Sequence, residues 1–153
     1  MYTRSKIALG VVTAYLAFRV ARYLMAKDAA NSAAKGQVAY GKWTKRDISQ
    51  YTGADGKPVL IALDGKVYDV SEGRGFYGPG GAYSVFAGRD ASRLLATQSF
   101  DDGMTEAELD APIDPLDDLV GDDREGLNVY VGLFNVKYRC VGELVEPSAD
   151  TQL

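Results

Sequence analysis

Residues 76 to 93 read Phe-Tyr-Gly-Pro-Gly-Gly-Ala-Tyr-Ser-Val-Phe-Ala-Gly-Arg-Asp-Ala-Ser-Arg, in a chain that holds 10 tyrosines and no histidine. Glycine and proline at this density build a tight, rigid loop, and the aromatic side chains threaded through it can seat a flat ligand. Without histidine the commonest protein metal ligand is missing, and a tyrosine phenolate becomes the candidate donor. Cys140 is the only cysteine, so there is no intrachain disulfide framework, and one Cys with no His builds no zinc cluster. Serine and cysteine nucleophiles have no histidine to activate them. Asp47, Asp69 and Asp90 are dispersed acids without the pattern of an acid/base pair. The Gly-x-Gly elements do not follow a strand and open a helix as phosphate-binding loops do. The residues describe a binding module rather than an enzyme.

The elements that must position this loop lie on both sides of it. Thr44, with Asp47 three residues on, caps a helix from Lys45 to Gln50 in a variant of the capping box. Residues 51 to 58 form a turn. Val59 to Leu63 and Lys66 to Val70 are strands joined by Asp64-Gly65, the dipeptide favoured in two-residue type I′ hairpins. Beyond the loop come a short helical stretch from Tyr83 to Phe86 and a helix from Asp90 to Gln98, capped by Asp90 or Gly88. Asp101 to Pro115 reads as acidic coil. Leu127, Tyr130, Val131 and Phe134 recur at helical spacing and predict a helix from Arg124 to Val136, and Val141 to Val145 reads as a closing strand. Within the loop, Gly78, Gly80 and Gly81 supply backbone conformations closed to other residues, and Pro79 stiffens the turn. Taken without further context, Phe76, Tyr77, Tyr83 and Phe86 read as packed core aromatics.

The 153 residues leave room for one folded domain of about 100 to 110 residues with an anchor or tail. The net charge of -4 conceals an asymmetry: residues 1 to 27 carry Arg4, Lys6, Arg19, Arg22 and Lys27 and no acid. The rest of the chain therefore holds 12 bases against all 21 acids, a net of -9, which argues against a nucleic-acid partner. Residues 101 to 125 concentrate eleven acids against Arg124 alone, either as a solvated face or as a docking surface for a basic partner.

The apolar stretch from Ile7 to Met25 is close to the roughly 20 residues that span a bilayer, and Arg19 and Arg22 can snorkel to the headgroups. A single-pass anchor through residues 7–25 is the preferred reading, with a basic, acid-free mitochondrial presequence as its competitor. This gives an anchor over residues 1–28, a linker over 29–42, a domain over 43–146 and a polar tail over 147–153.

The series Ala62-x-x-Gly-Lys-Val-Tyr-Asp-Val70, Phe76-Tyr-Gly-Pro-Gly-Gly81, Tyr83, Phe86-Ala-Gly-Arg-Asp-Ala-Ser-Arg93, Asp117-Asp-Leu119 and Lys137-Tyr138-x-x-Val-Gly142 resembles the membrane-associated progesterone receptor family. That family lies within the cytochrome b5-like haem/steroid-binding superfamily, and the resemblance runs from about Trp43 to Leu144. It implies an α+β, cytochrome b5-like fold behind an N-terminal transmembrane helix. It also implies haem b with iron held by the phenol of Tyr83, and cofactor or propionate contacts from Tyr77, Lys137 and Tyr138. A phenolate is a hard, anionic donor that favours ferric iron, so the expected site is five-coordinate and of low potential. The implied role is that of a haem carrier or regulatory partner of membrane enzymes such as cytochromes P450, in the endoplasmic reticulum or mitochondrial inner membrane. Steroid binding and haem-mediated self-association are further implied properties. The alternative is a structural accessory subunit of a larger membrane complex, of mitochondrial respiratory type, with the haem lost or incidental.

Overall fold

The computed structural model describes residues 38–101 and 103–148. Nine short elements alternate along them: β1 (Gly41–Trp43), α1 (Lys45–Ile48), β2 (Leu60–Leu63), β3 (Lys66–Asp69), α2 (Arg74–Tyr77), α3 (Ser92–Ala96), α4 (Glu106–Asp110), α5 (Gly121–Lys137) and β4 (Arg139–Leu144). This is the α+β class the sequence predicts. The proposed span over residues 7–25 lies outside the described residues, among which no helix is long and apolar enough to cross a membrane.

One four-stranded sheet, in the order β1-β4-β3-β2, divides the core. β2 and β3 form the expected hairpin, and Asp64 (φ 50°) and Gly65 (φ 76°) both take the positive φ that a type I′ turn requires. Side chains alternate across a strand, so Ile61 and Leu63 face one apolar cluster with Tyr68, Leu127 and Phe134, while Leu60 and Ala62 face another with Val67 and Val141. All four β2 side chains are fully buried, which explains a strand without polar alternation. On the first face α5 packs with Leu127 and Phe134 inward, and the Tyr68 phenol, buried beneath it, donates to Asn135 Oδ1 at 2.8 Å.

The structure differs from the sequence reading at three places. β1, over the last two residues read as linker and the first of the domain, pairs in parallel with β4 from Gly41 opposite Gly142, a register without local sequence signal. The predicted helix from Asp90 to Gln98 is only Ser92–Ala96, because Asp90 turns its carboxylate onto Ser92 N and Oγ and stays outside the helix. The predicted acidic coil holds a helix, α4, capped at its start by Thr105. At its end Lys45, itself buried, donates its ammonium to the carbonyls of Glu108, Ala111 and Pro112. Arg46 adds ion pairs to Glu106 and Asp110. α1 thus gathers the acidic segment, which the sequence offered as a solvated face.

Gly142 shows how tightly β1 sits. Its φ is +149°, and a Cβ there would lie 1.9 Å from Gly41 O and 2.8 Å from the Trp43 ring. Gly142→Ala is expected to destabilise the domain by at least about 2 kcal/mol in chemical denaturation, the scale of overpacking added to backbone strain. An unchanged unfolding midpoint would show that β1 is not part of the cooperative fold.

Candidate functional site

Tyr83 stands where a glycine-dependent backbone puts it. In Gly78-Pro79-Gly80-Gly81 a hydrogen bond from Gly81 N to Gly78 O (2.9 Å) closes a turn with proline second and Gly80, at φ 80°, third, the pattern of a type II turn. The turn returns the chain onto α2, where Tyr83 N donates to Phe76 O at 2.9 Å. A Cβ on Gly81 would lie 2.2 Å from that same carbonyl oxygen, so no other residue fits. Arg74 ties α2 to the preceding loop by donating to Gly53 O (2.7 Å) and Lys57 O.

The Tyr83 ring, 41% exposed, stacks on Phe86 with centroids 6.2 Å apart and planes 15° from parallel. Tyr77 lies 6.1 Å from it and Phe100 6.0 Å. These rings line one side of a cleft of about 360 Å³. Leu94, Leu95 and Gln98 line it from α3 and the residues that follow, and Tyr130 and Leu133 from α5. That size suits a small-molecule site, and the lining is aromatic and aliphatic apart from three phenols and the Gln98 amide.

Of the four residues the sequence singled out, Tyr83 and Tyr77 line the cleft, whereas Lys137 and Tyr138 do not. Tyr138 is buried behind Tyr77, edge-on at 6.1 Å, and packs on Phe134 at 5.2 Å. The Lys137 ammonium lies 5.3 Å from the centre of the Tyr138 ring, a cation–π distance. Burial, with the Tyr138 phenol next in effect, pushes the Tyr77 phenol well above the ordinary tyrosine value. Tyr77 is therefore a neutral phenol whose one O–H is hydrogen-bonded to the Tyr138 phenol behind it. Gln98, Phe100, Tyr130 and Leu133 escaped the sequence reading as site residues. Tyr130 was legible only as one apolar position of a helix, and Phe100 only as an aromatic preceding the acidic run.

The outer wall is held by a buried charge. Arg89, 4% exposed, spreads its guanidinium between two carboxylates: to Asp101 at 2.7 and 3.3 Å, and to Glu108 at 2.9 and 2.5 Å. A buried guanidinium is tolerated only when paired and hydrogen-bonded in this way. The Asp101 contact fixes the residue beside Phe100, whose ring lies 5.3 Å from Phe86. On α3, Arg93 similarly takes Asp114 and Asp118. Much of the acidic run is thus neutralised within the domain. Among the described residues no group of three or more His, Cys, Asp or Glu could hold a metal ion.

Arg89 holds the Asp101 carboxyl below the ordinary carboxylate range, chiefly by its hydrogen bond. The folded value lies below the unfolded one, so the stabilisation is complete above about pH 4 and is lost as pH falls through the folded value. Thermal melts taken down to about pH 3 are expected to lose stability more steeply in the native chain than in Asp101→Asn. Equal slopes would mean that the clasp does not contribute to folding.

Comparison with known proteins adds to this geometry. A family model described as cytochrome b5-like heme/steroid binding domain matches residues 44–143. A Schizosaccharomyces pombe protein named cytochrome P450 regulator dap1 is 35% identical over 139 residues, 90% of this chain and 84% of that protein. Membrane-associated progesterone receptor component 2 of Rattus norvegicus is 42% identical over 111 residues, 69% of this chain, and the chain spans 49% of its length. The solution structure of a putative steroid-binding protein from Arabidopsis is 38% identical and superposes with a TM-score of 0.56 over 71% of this chain and 100% of that one.

Proposed function

The chain belongs to the cytochrome b5-like haem/steroid-binding family, among the membrane-associated progesterone receptor components and membrane steroid-binding proteins, and from that premise we propose that it is a membrane-anchored haem-binding regulator whose haem b is held by the Tyr83 phenolate. The observation that carries this reading is the seating of Tyr83 against a cleft walled by aromatic and aliphatic side chains in a chain with no histidine. The residues fit the group: apolar walls suit a flat macrocycle, and a half-exposed phenol supplies the anionic oxygen that ferric iron prefers.

Each side chain has a distinct part. The Tyr83 phenol oxygen would hold the iron as an anionic donor. Tyr77, a neutral phenol hydrogen-bonded to Tyr138, would offer its ring and phenol oxygen to the bound group. Tyr138 acts from behind by fixing the Tyr77 ring, and Lys137 places a cation beside that pair. Phe86, Phe100 and Leu133 would give the ligand apolar contact. A ferric haem on a single phenolate supplies a low-potential centre, better suited to carriage and regulation than to rapid electron transfer.

The partner class follows from the relative named as a cytochrome P450 regulator, which supports a regulatory role toward membrane P450 enzymes. The anchor through residues 7–25 lies outside the described residues. It would hold the domain at the endoplasmic reticulum or mitochondrial inner membrane, and haem-mediated pairing of two domains is compatible with the exposure of Tyr83. No step of bond making or breaking is assigned to the protein, which acts as a binding module.

Titration of the chain with haemin is expected to give a saturable ferric absorbance change of phenolate type at one equivalent. Tyr83→Phe should weaken binding at least about tenfold, the scale of one lost metal–ligand contact, and should abolish the phenolate band. A native chain that gives no saturable change refutes the haem reading, and an unaltered band in Tyr83→Phe refutes the ligand assignment.

A further inference from the structure

Gln98 is the one side chain lining the cleft that is polar without being a phenol. It also sits in a backbone conformation that favours another residue. α3 ends in a pair of hydrogen bonds, Ser99 N to Leu94 O at 2.8 Å and Gln98 N to Leu95 O at 3.4 Å, with Gln98 itself at φ 52°. This is a Schellman ending, and its left-handed position is usually glycine because a Cβ is strained there. The chain carries a glutamine instead, and Gln98 is among the residues that line the cleft. A strained non-glycine residue that faces a ligand site points to a role for its side chain.

Lys137, the cation read from the sequence as the partner of a ligand carboxylate, does not line the cleft. The guanidinium of Arg89 is taken up by Asp101 and Glu108, and that of Arg93 by Asp114 and Asp118. Cations on the α3 side of the cleft are therefore already neutralised, whereas the amide of Gln98 has two donor hydrogens at the rim.

We propose that Gln98 is a specificity-determining residue that donates a hydrogen bond to a carboxylate on the edge of the bound ligand. Gln98 therefore distinguishes an acidic flat ligand from its neutral ester. The inference rests on the haem reading above, with a haem propionate as the acceptor. A hydrogen bond to a charged acceptor is stronger than one between neutral groups.

The test compares haemin with haemin dimethyl ester, which keeps the ring and iron and loses both carboxylates. Dissociation constants of the two are measured by absorbance on the whole chain and on three variants. The native chain is expected to prefer the acid, and Gln98→Leu to reduce that preference about fivefold, the effect of one partly exposed hydrogen bond to a charged group. Gln98→Glu should invert it by repelling the carboxylate. Gln98→Gly should lose the preference while raising the melting temperature, because glycine relieves the strained position. That rise separates loss of a ligand contact from damage to the fold. Equal preference in the native chain and all three variants overturns the proposal while the Tyr83-dependent phenolate band still upholds the haem reading. A native chain that binds neither compound overturns both.

Discussion

A single backbone hydrogen bond, Tyr83 N to Phe76 O, sets where the chemistry of this domain can occur. It forms because Gly81 has no side chain to strike the same carbonyl, and because Gly80 takes a positive φ that lets the chain reverse within four residues. The backbone of Tyr83 is thereby fixed, and its ring stacks on Phe86 beside Tyr77 and Phe100. Everything else in the cleft is arranged around that fixed ring. α2 supplies Tyr77 beside it, the segment after α3 supplies Phe100 on another edge, and α5 supplies Tyr130 and Leu133.

The frame depends in turn on how the acidic segment is folded away. Arg89 is the pivot: a guanidinium removed from water needs acceptors on each edge, and Asp101 and Glu108 provide them from two points of the chain. Lys45 and Arg46 grip the same segment from α1, through carbonyls at the end of α4 and through its carboxylates. Six acids of this run, Asp101, Glu106, Glu108, Asp110, Asp114 and Asp118, are engaged in ion pairs within the domain. Asp117, Asp122, Asp123 and Glu125 are not among the ion-paired acids.

The hairpin was legible because Asp64-Gly65 has one favoured geometry, and α5 because its apolar positions Leu127, Tyr130, Val131 and Phe134 recur at helical spacing over about two turns. Tyr83 and Tyr77 were legible because a dense motif fixes them relative to Gly78, Pro79 and Gly81. β1 was not, since three residues pairing in parallel with a strand about a hundred positions away leave no local pattern. α4 was missed although Thr105, with Glu108 three residues on, is a local capping signal; the contacts of Lys45 and Arg46 that hold it to the domain come from residues remote in sequence. Gln98 was hidden for a related reason: its significance lies in a left-handed backbone and a place on the rim, and neither is encoded by residue type. Lys137 and Tyr138 show the converse case, where the motif identified the residues and the packing put them behind the cleft wall.

The central claim is that the Tyr83 phenolate is bonded to the iron. Resonance Raman spectra of the haemin-loaded chain, excited in the phenolate-to-iron charge-transfer band, read that bond directly when tyrosine is incorporated in unlabelled and ring-deuterated forms. The account predicts phenolate ring modes that shift on deuteration and disappear when position 83 is phenylalanine. Spectra containing haem modes alone, insensitive to tyrosine labelling, would contradict it.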